Sequence, residues 1–243
     1  SVAMDVTDTA SIDAAVSSIG ALLPERGLGL VGLVSNAGAG MLGPVEFLYE
    51  DVLRSQLELN LVAHVAVARR LLPVIRACVT GPAAPQRGRL YFVGTGAGVP
   101  SSVYPFLGAY MACKWGLEAL CRSLRQELQL RGDPIDVGML NPGFVRTRMS
   151  ETTRAAVAPV LSRMPGWAQA SYGPLIACFG QFSQRQQGVS AEHAAQSLVR
   201  AMSAARARRA YRIGRDSKAT VWFARLPLAL QERLIARVYR PRS

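Results

Sequence analysis

The 243-residue sequence predicts an α/β protein, a parallel sheet covered by helices on both faces. Three observations predict it. Short, nearly continuous apolar runs of strand length alternate with longer stretches whose apolar residues recur three and four apart. Three of the short runs end in small-residue turns, SNAG, GTGAG and NPG, as suits the rim beyond the carboxyl ends of parallel strands where ligands sit. Hydrophobic residues make up 50% of a chain of single-domain length, enough to build a sizeable core.

The elements follow in order. LGLVGLVSNAG (28–38) is a buried strand and its turn. Residues 45–77 are helical, apolar at 3–4 spacing through DVLRSQLELNLVAHVAVARRLLPVI. TGPAAPQRG (80–88) is the plainest loop, and RLYFVGTGAG (89–98) is again strand then glycine turn. FLGAYMACKWGLEALCRSLRQELQLRG (106–132) is a long amphipathic helix closed by Gly132. IDVGMLNPG (135–143) is a third strand and turn. Residues 150–187 mix Met, Pro and Gly and read as a mobile flap or insert. Ser190 is the expected N-cap of a helix over 190–205, and RRAYRIG (208–214) is a last strand. No internal repeat is present.

Composition narrows the function. Cys78, Cys113, Cys121 and Cys178 have no CxxC or metal-ligand spacing, so a reduced, cytoplasmic setting with small buried thiols is expected. With His64 and His193 the only histidines, zinc is not expected. No apolar run of about 18 residues suggests a membrane span, and the first ten residues show no signal-peptide pattern. The net charge is +12, of which residues 205–243 carry +9, from eleven Arg/Lys against Asp216 and Glu232. Charge gathered in a tail argues against a surface built wholly for nucleic acid.

Two motifs carry chemistry or mimic it. AYMACKWG (109–116) puts Tyr110 four residues before Lys114, so both side chains leave one face of the helix. An ammonium beside a phenol favours the phenolate and eases proton transfer. The same spacing is frequent on solvated helices. GAGMLG, Gly38 to Gly43, matches GxGxxG after a strand, but the acidic residue a dinucleotide site needs about 20 positions on falls at Glu58, inside a helix. The motif fails its context.

With SNAGAG, LELNLVAH, GTGAG, YMACK and NPGFVRT in this order, the chain resembles the short-chain dehydrogenase/reductase family along essentially its whole length. The resemblance implies one doubly wound, Rossmann-like domain over 1–243 that binds NAD or NADP. It implies Tyr110 as acid/base, Lys114 binding the nicotinamide ribose and lowering the tyrosine pKa, and Asn60 supporting a proton relay. Asn36, Ala37 and Gly38 would shape the adenine-ribose side, and Asp5 and Val6, in MDVTD at a strand end, would line the adenine pocket. Pro142, Gly143, Val145 and Thr147 would hold the nicotinamide carboxamide and phosphate. Two departures stand out. The TGxxxGxG loop and its flanking strands, which precede DVTD in the family, are not in the sequence, so an N-terminally truncated domain is expected. The substrate-binding serine is replaced by Thr95, with Ser101 and Ser102 as alternatives in a slightly longer interval before Tyr110.

The expected activity is interconversion of a secondary alcohol and a ketone on a small hydrophobic substrate. Met149, Met164, Trp167, Tyr172, Phe179 and Phe182 fall where the family's substrate flap lies (148–187), and ordinary packing is the alternative reading. His64 and Cys113 read as packed residues. A weaker, branch-level likeness points to steroid, retinoid and 3-hydroxybutyrate dehydrogenases. A homo-dimer or homo-tetramer is expected, without nucleic acid. The tail, 216–243, is a basic amphipathic segment that either contacts an anionic membrane or packs over the substrate mouth or a partner subunit. A catalytically silent binding or regulatory fragment is the rival reading.

Overall fold

The computed structural model describes residues 1–80, 87–96 and 103–239. The predicted loop at 80–88 lies largely outside them, as do Ser101 and Ser102. The apolar runs become a four-stranded parallel sheet in the order β1 (Gly32–Ser35), β2 (Gly88–Val93), β3 (Ile135–Pro142) and β6 (Ala210–Ile213). Register pairs Gly32 with Arg89, Gly88 with Ile135 and Met139 with Ala210. A two-stranded parallel ladder, β4 (Val145–Arg146) with β5 (Val189–Ser190), lies beyond β3.

Alternation along the strands sorts the helices onto two faces. Leu90, Phe92, Val137 and Met139 face α3 (Ala63–Val79) and α4 (Gly108–Leu130), meeting Ile75, Leu117 and Cys121 in the main core. Tyr91 and Leu140 face the other way, onto Ala201 and Leu198 of α8 (Ala191–Ser203). Gly138 makes that second face possible. A Cβ there would lie 2.7 Å from the buried Tyr91 ring and 2.9 Å from the carbonyl oxygens of Arg208 and Arg209. Helix α1 (Thr9–Glu25), capped by the Asp8 carboxylate, packs Ile12 against Val67 and Leu71 of α3.

Several elements differ from the expectations. The segment 45–77 is helical but interrupted. A 3-10 turn at Val45–Phe47 is followed by α2 (Glu50–Leu57), a π-helical turn at Glu58–Val62, and α3. Residues 1–5 form no strand; Asp5 instead starts a turn, its carboxylate accepting hydrogen bonds from the Thr7 amide and hydroxyl at 2.9 and 2.7 Å. The Met/Pro/Gly-rich stretch is three helices, α5 (Met149–Ala155), α6 (Val157–Ser162) and α7 (Gly166–Arg185). The tail is not one amphipathic helix. Pro227 lies in the break between α9 (Arg215–Phe223) and α10 (Leu228–Tyr239). No described helix is long and apolar enough to cross a membrane.

The α5–α7 segment is held on two sides. Tyr239 of α10 stacks on Phe179 at 5.1 Å and meets Phe182 edge-on. On the other side Arg163 pairs with Asp51 at 2.8 Å, Tyr49 donates to the Arg163 carbonyl at 2.7 Å, and Tyr172 donates to Glu46 at 2.6 Å.

Candidate active site

The three small-residue turns meet at the carboxyl end of the sheet, and the first turns of α4 bring Tyr110 and Lys114 to them. Schellman-type closure fixes the far end of that helix: the Asp133 amide bonds to the Leu128 carbonyl, with Gly132 at φ +74°. Lys114 is buried, and its Nζ donates to the Val93 carbonyl at 3.0 Å, the last carbonyl of β2. The same Nζ lies 5.8 Å from the centre of the Tyr110 ring. The Tyr110 hydroxyl is hydrogen-bonded to the Thr95 side chain.

Electrostatics here is governed by desolvation. Burial pushes the Tyr110 phenol up to about 12, and the Thr95 hydrogen bond offsets only part of that. Burial pushes the Lys114 ammonium down to about 8, so it is still mainly charged at pH 7. Desolvation outweighs any lowering by Lys114, whose Nζ is held by the Val93 carbonyl and lies 5.8 Å from the Tyr110 ring centre. His64 falls to about 4, through burial first and the Lys114 charge second, and is neutral at pH 7. Its Nδ1 is 2.7 Å from the Ser35 hydroxyl and its ring meets Phe92 edge-on, as expected of a packed residue.

Asn60 sits in the π-helical turn, a local form that often marks functional sites. It is fully buried, and its amide nitrogen donates to the Ala39 carbonyl at 3.0 Å and to Gln56 Oε1 at 3.1 Å. Its Oδ1 has no partner among the described residues, at a cost of about 1–3 kcal/mol for a buried acceptor. Gly38 passes between the two side chains: a Cβ there would lie 2.8 Å from Asn60 Oδ1 and 3.6 Å from Lys114 Nζ. The orphaned acceptor beside a buried ammonium, under backbone without side chains, fits the ribose end of a dinucleotide. Asn36, Ala37 and Val6 line one cavity of about 180 Å³ together with Ser35 and His64. Asp5 is exposed beside it and is not among the lining residues.

The β3 rim is clasped. Gly143 donates to the Ile213 carbonyl at 2.8 Å, and Gly96 bonds to the Pro142 carbonyl. A Cβ on Gly143 would collide with the Asp216 carboxylate, which accepts from the Phe144 amide. Ser217 Oγ donates to the Asn141 carbonyl at 2.7 Å. Val145 enters the small ladder, and the exposed Thr147 accepts from the Met149 amide at 3.3 Å, at the start of α5. The GAGMLG glycines lie in irregular chain with no helix opening on Gly43.

Several residues around the site were not expected. Gln56 lies one helical turn before Asn60, a spacing visible in the sequence. Asp216 and Ser217 act across more than 70 residues, with no local signal. Phe106 is the one described non-glycine residue at positive φ (67°), which costs about 1–3 kcal/mol. Its carbonyl accepts from the Gly43 amide and its ring meets Tyr172 and Phe179 edge-on.

The family model described as short chain dehydrogenase matches residues 1–158. The chain is 32% identical over 145 residues to an NADPH-dependent 3-dehydrocapnine reductase of Ornithobacterium rhinotracheale, covering 60% of this chain and 48% of that protein. It is 32% identical over 173 residues to human retinol dehydrogenase 5, covering 70% and 50%. A short-chain dehydrogenase from Streptomyces avermitilis superposes with a TM-score of 0.66 at 22% identity, covering 97% of this chain and 75% of that one. The chain spans about half the length of the curated relatives it matches.

Proposed function

The chain belongs to the short-chain dehydrogenase family, and we propose that it interconverts a secondary alcohol and a ketone with NAD or NADP, on a small hydrophobic substrate. The observation that carries the proposal is the Thr95–Tyr110 hydrogen bond above a buried Lys114, at the carboxyl rim of a parallel sheet. When bound, the nicotinamide cofactor supplies or accepts the hydride. Tyr110 gives its proton to the carbonyl oxygen in reduction and regains it in oxidation. A phenol held near 12 is a proton donor by default, so the charged Lys114 is needed to stabilise the phenolate as it forms. Thr95 donates to the same oxygen as negative charge grows on it. Asn60 Oδ1 faces the Lys114 side and completes the proton path. The aromatic wall of Phe106, Tyr172 and Phe179 supports a hydrophobic substrate.

Steady-state ketone reduction by the full-length protein tests this. Tyr110→Phe should lower kcat by about 10²–10⁴. Thr95→Val should lower it by about 10–10³, while Thr95→Ser keeps most activity. Activity of Tyr110→Phe within about tenfold of the parent would overturn the assignment. A folded chain that leaves NADPH fluorescence unchanged would instead favour the silent binding module.

A second reading concerns the turn between α9 and α10. Trp222 is 69% and Leu228 62% exposed there, and Arg225 lies 4.6 Å over the Trp222 ring. We propose that this tip contacts an anionic membrane, tested by vesicle co-sedimentation as set out below. Exposed Val62, Val65 and Leu120 on the outer face of the α3–α4 layer support association of copies into a homo-dimer or homo-tetramer.

A further inference from the structure

At the opposite end of the sheet, where β2 and β3 begin, a cavity of about 440 Å³ opens between the end of α4 and the segment leading into β6. Arg87, Arg125, Arg208 and Arg209 line it with two carboxylates, Asp133 and Asp136. Both carboxylates are already paired. Asp133 is held by Arg76 at 2.9 Å and Arg131 at 3.3 Å, and Asp136 by Arg87 at 3.0 Å. Arg125, Arg208 and Arg209 have no carboxylate within ion-pair distance among the described residues. Three arginines thus line one concavity without an ion-pair partner among the described residues, Arg208 with its guanidinium also 6.0 Å from the centre of the Tyr211 ring.

Like charges gathered in a cleft repel one another and focus a positive field into it, which an anion relieves. Guanidinium forks match phosphate oxygens two at a time. The volume falls at the small-ligand end of binding sites, about 300–1,000 Å³. No aromatic side chain is among the described residues that line the cavity, so it offers a nucleobase no aromatic face. From these observations we propose that this cavity binds a compact polyphosphate, a small molecule carrying two or more phosphate groups. The site is separate from the proposed catalytic rim: Gly88 and Val93 bound the same strand, so the two lie roughly 17 Å apart at about 3.3 Å per residue. It also divides the basic tail, since Arg208 and Arg209 serve this end of the sheet while the arginines of α9 and α10 do not.

Calorimetric titration of the chain with inorganic tripolyphosphate tests the site. Saturable binding is expected that weakens as salt rises. The double variant Arg208→Ser/Arg209→Ser should weaken it at least tenfold, and Arg125→Gln severalfold, with thermal melts unchanged because the first two side chains are exposed. Tyr110→Phe should bind tripolyphosphate as the parent does. Vesicles bearing phosphatidylinositol bisphosphate that capture the parent and not the double variant would assign the phosphate source to a lipid headgroup at the same site. Absence of tripolyphosphate binding, binding indifferent to the double variant, or single-stranded RNA binding tighter than tripolyphosphate would each overturn the proposal.

Discussion

Lys114 shows how one residue carries both function and a stability cost. Its ammonium is buried with one carbonyl partner, and its pKa falls from 10.5 to about 8. A lysine whose folded pKa lies below its unfolded value destabilises the fold wherever it must be protonated. Between about 8 and 10.5 the unfolded chain binds more protons, so stability rises with pH across that window. The full effect is on the order of 3 kcal/mol. Urea titrations at pH 7 and pH 9.5 should show the parent gaining stability, and Lys114→Met should be more stable than the parent at pH 7 with that gain reduced. A parent whose stability is flat over the window would mean that the ammonium is better solvated than its surroundings indicate. The Tyr110/Lys114 pair was legible as a spacing of four. That the phenol is raised was not, because burial belongs to the packed structure rather than to the sequence.

Elements were legible in proportion to how local their causes are. The apolar runs of β1, β2 and β3 and the Ser190 cap of α8, whose hydroxyl accepts from the His193 amide at 3.2 Å, are short-range facts. The π-helical turn at Glu58–Val62 was not legible, because one extra residue in a turn leaves a 3–4 apolar spacing almost unchanged. Helix α1 was not read from the sequence although its signal is local, with Asp8 as cap and Ile12, Val16 and Ile19 at helical spacing. In β3, backbone oxygens and the Tyr91 ring close on Gly138 from across the sheet, a demand that no local spacing shows. Gly138→Ala should cost about 1–3 kcal/mol. Tyr91→Leu should not restore it, because the Arg208 and Arg209 carbonyls remain in the way. A neutral Gly138→Ala in chemical denaturation would show that β3 and β6 can shift apart.

At the scale of the molecule, the layered α/β architecture was legible from the alternating runs, their small-residue turns and the apolar content, but the distribution of charge was not. The +9 stretch of the sequence is divided between Arg208 and Arg209 at the arginine-lined cavity and the helices α9 and α10, whose connection is flanked by exposed Trp222 and Leu228. If that tip meets anionic lipid, the chain should pellet with phosphatidylserine vesicles at low salt and not with neutral ones. Trp222→Ser/Leu228→Ser should reduce pelleting severalfold. Equal pelleting of the double variant would remove the tip from that role. The two-sided attachment of α5–α7 has a mechanical consequence. Stacked rings bind α7 to α10, and the side toward α2 combines edge contacts of Phe47 with Trp167 and Tyr172 with polar contacts, among them the pair of Arg163 and Asp51, which keep 43% and 66% of their side-chain surface in water. Water and salt replace such pairs at a cost of about 0–1 kcal/mol each, whereas separating buried rings exposes apolar surface. Salt should therefore loosen the Arg163–Asp51 pair while leaving the ring contacts of α7 in place.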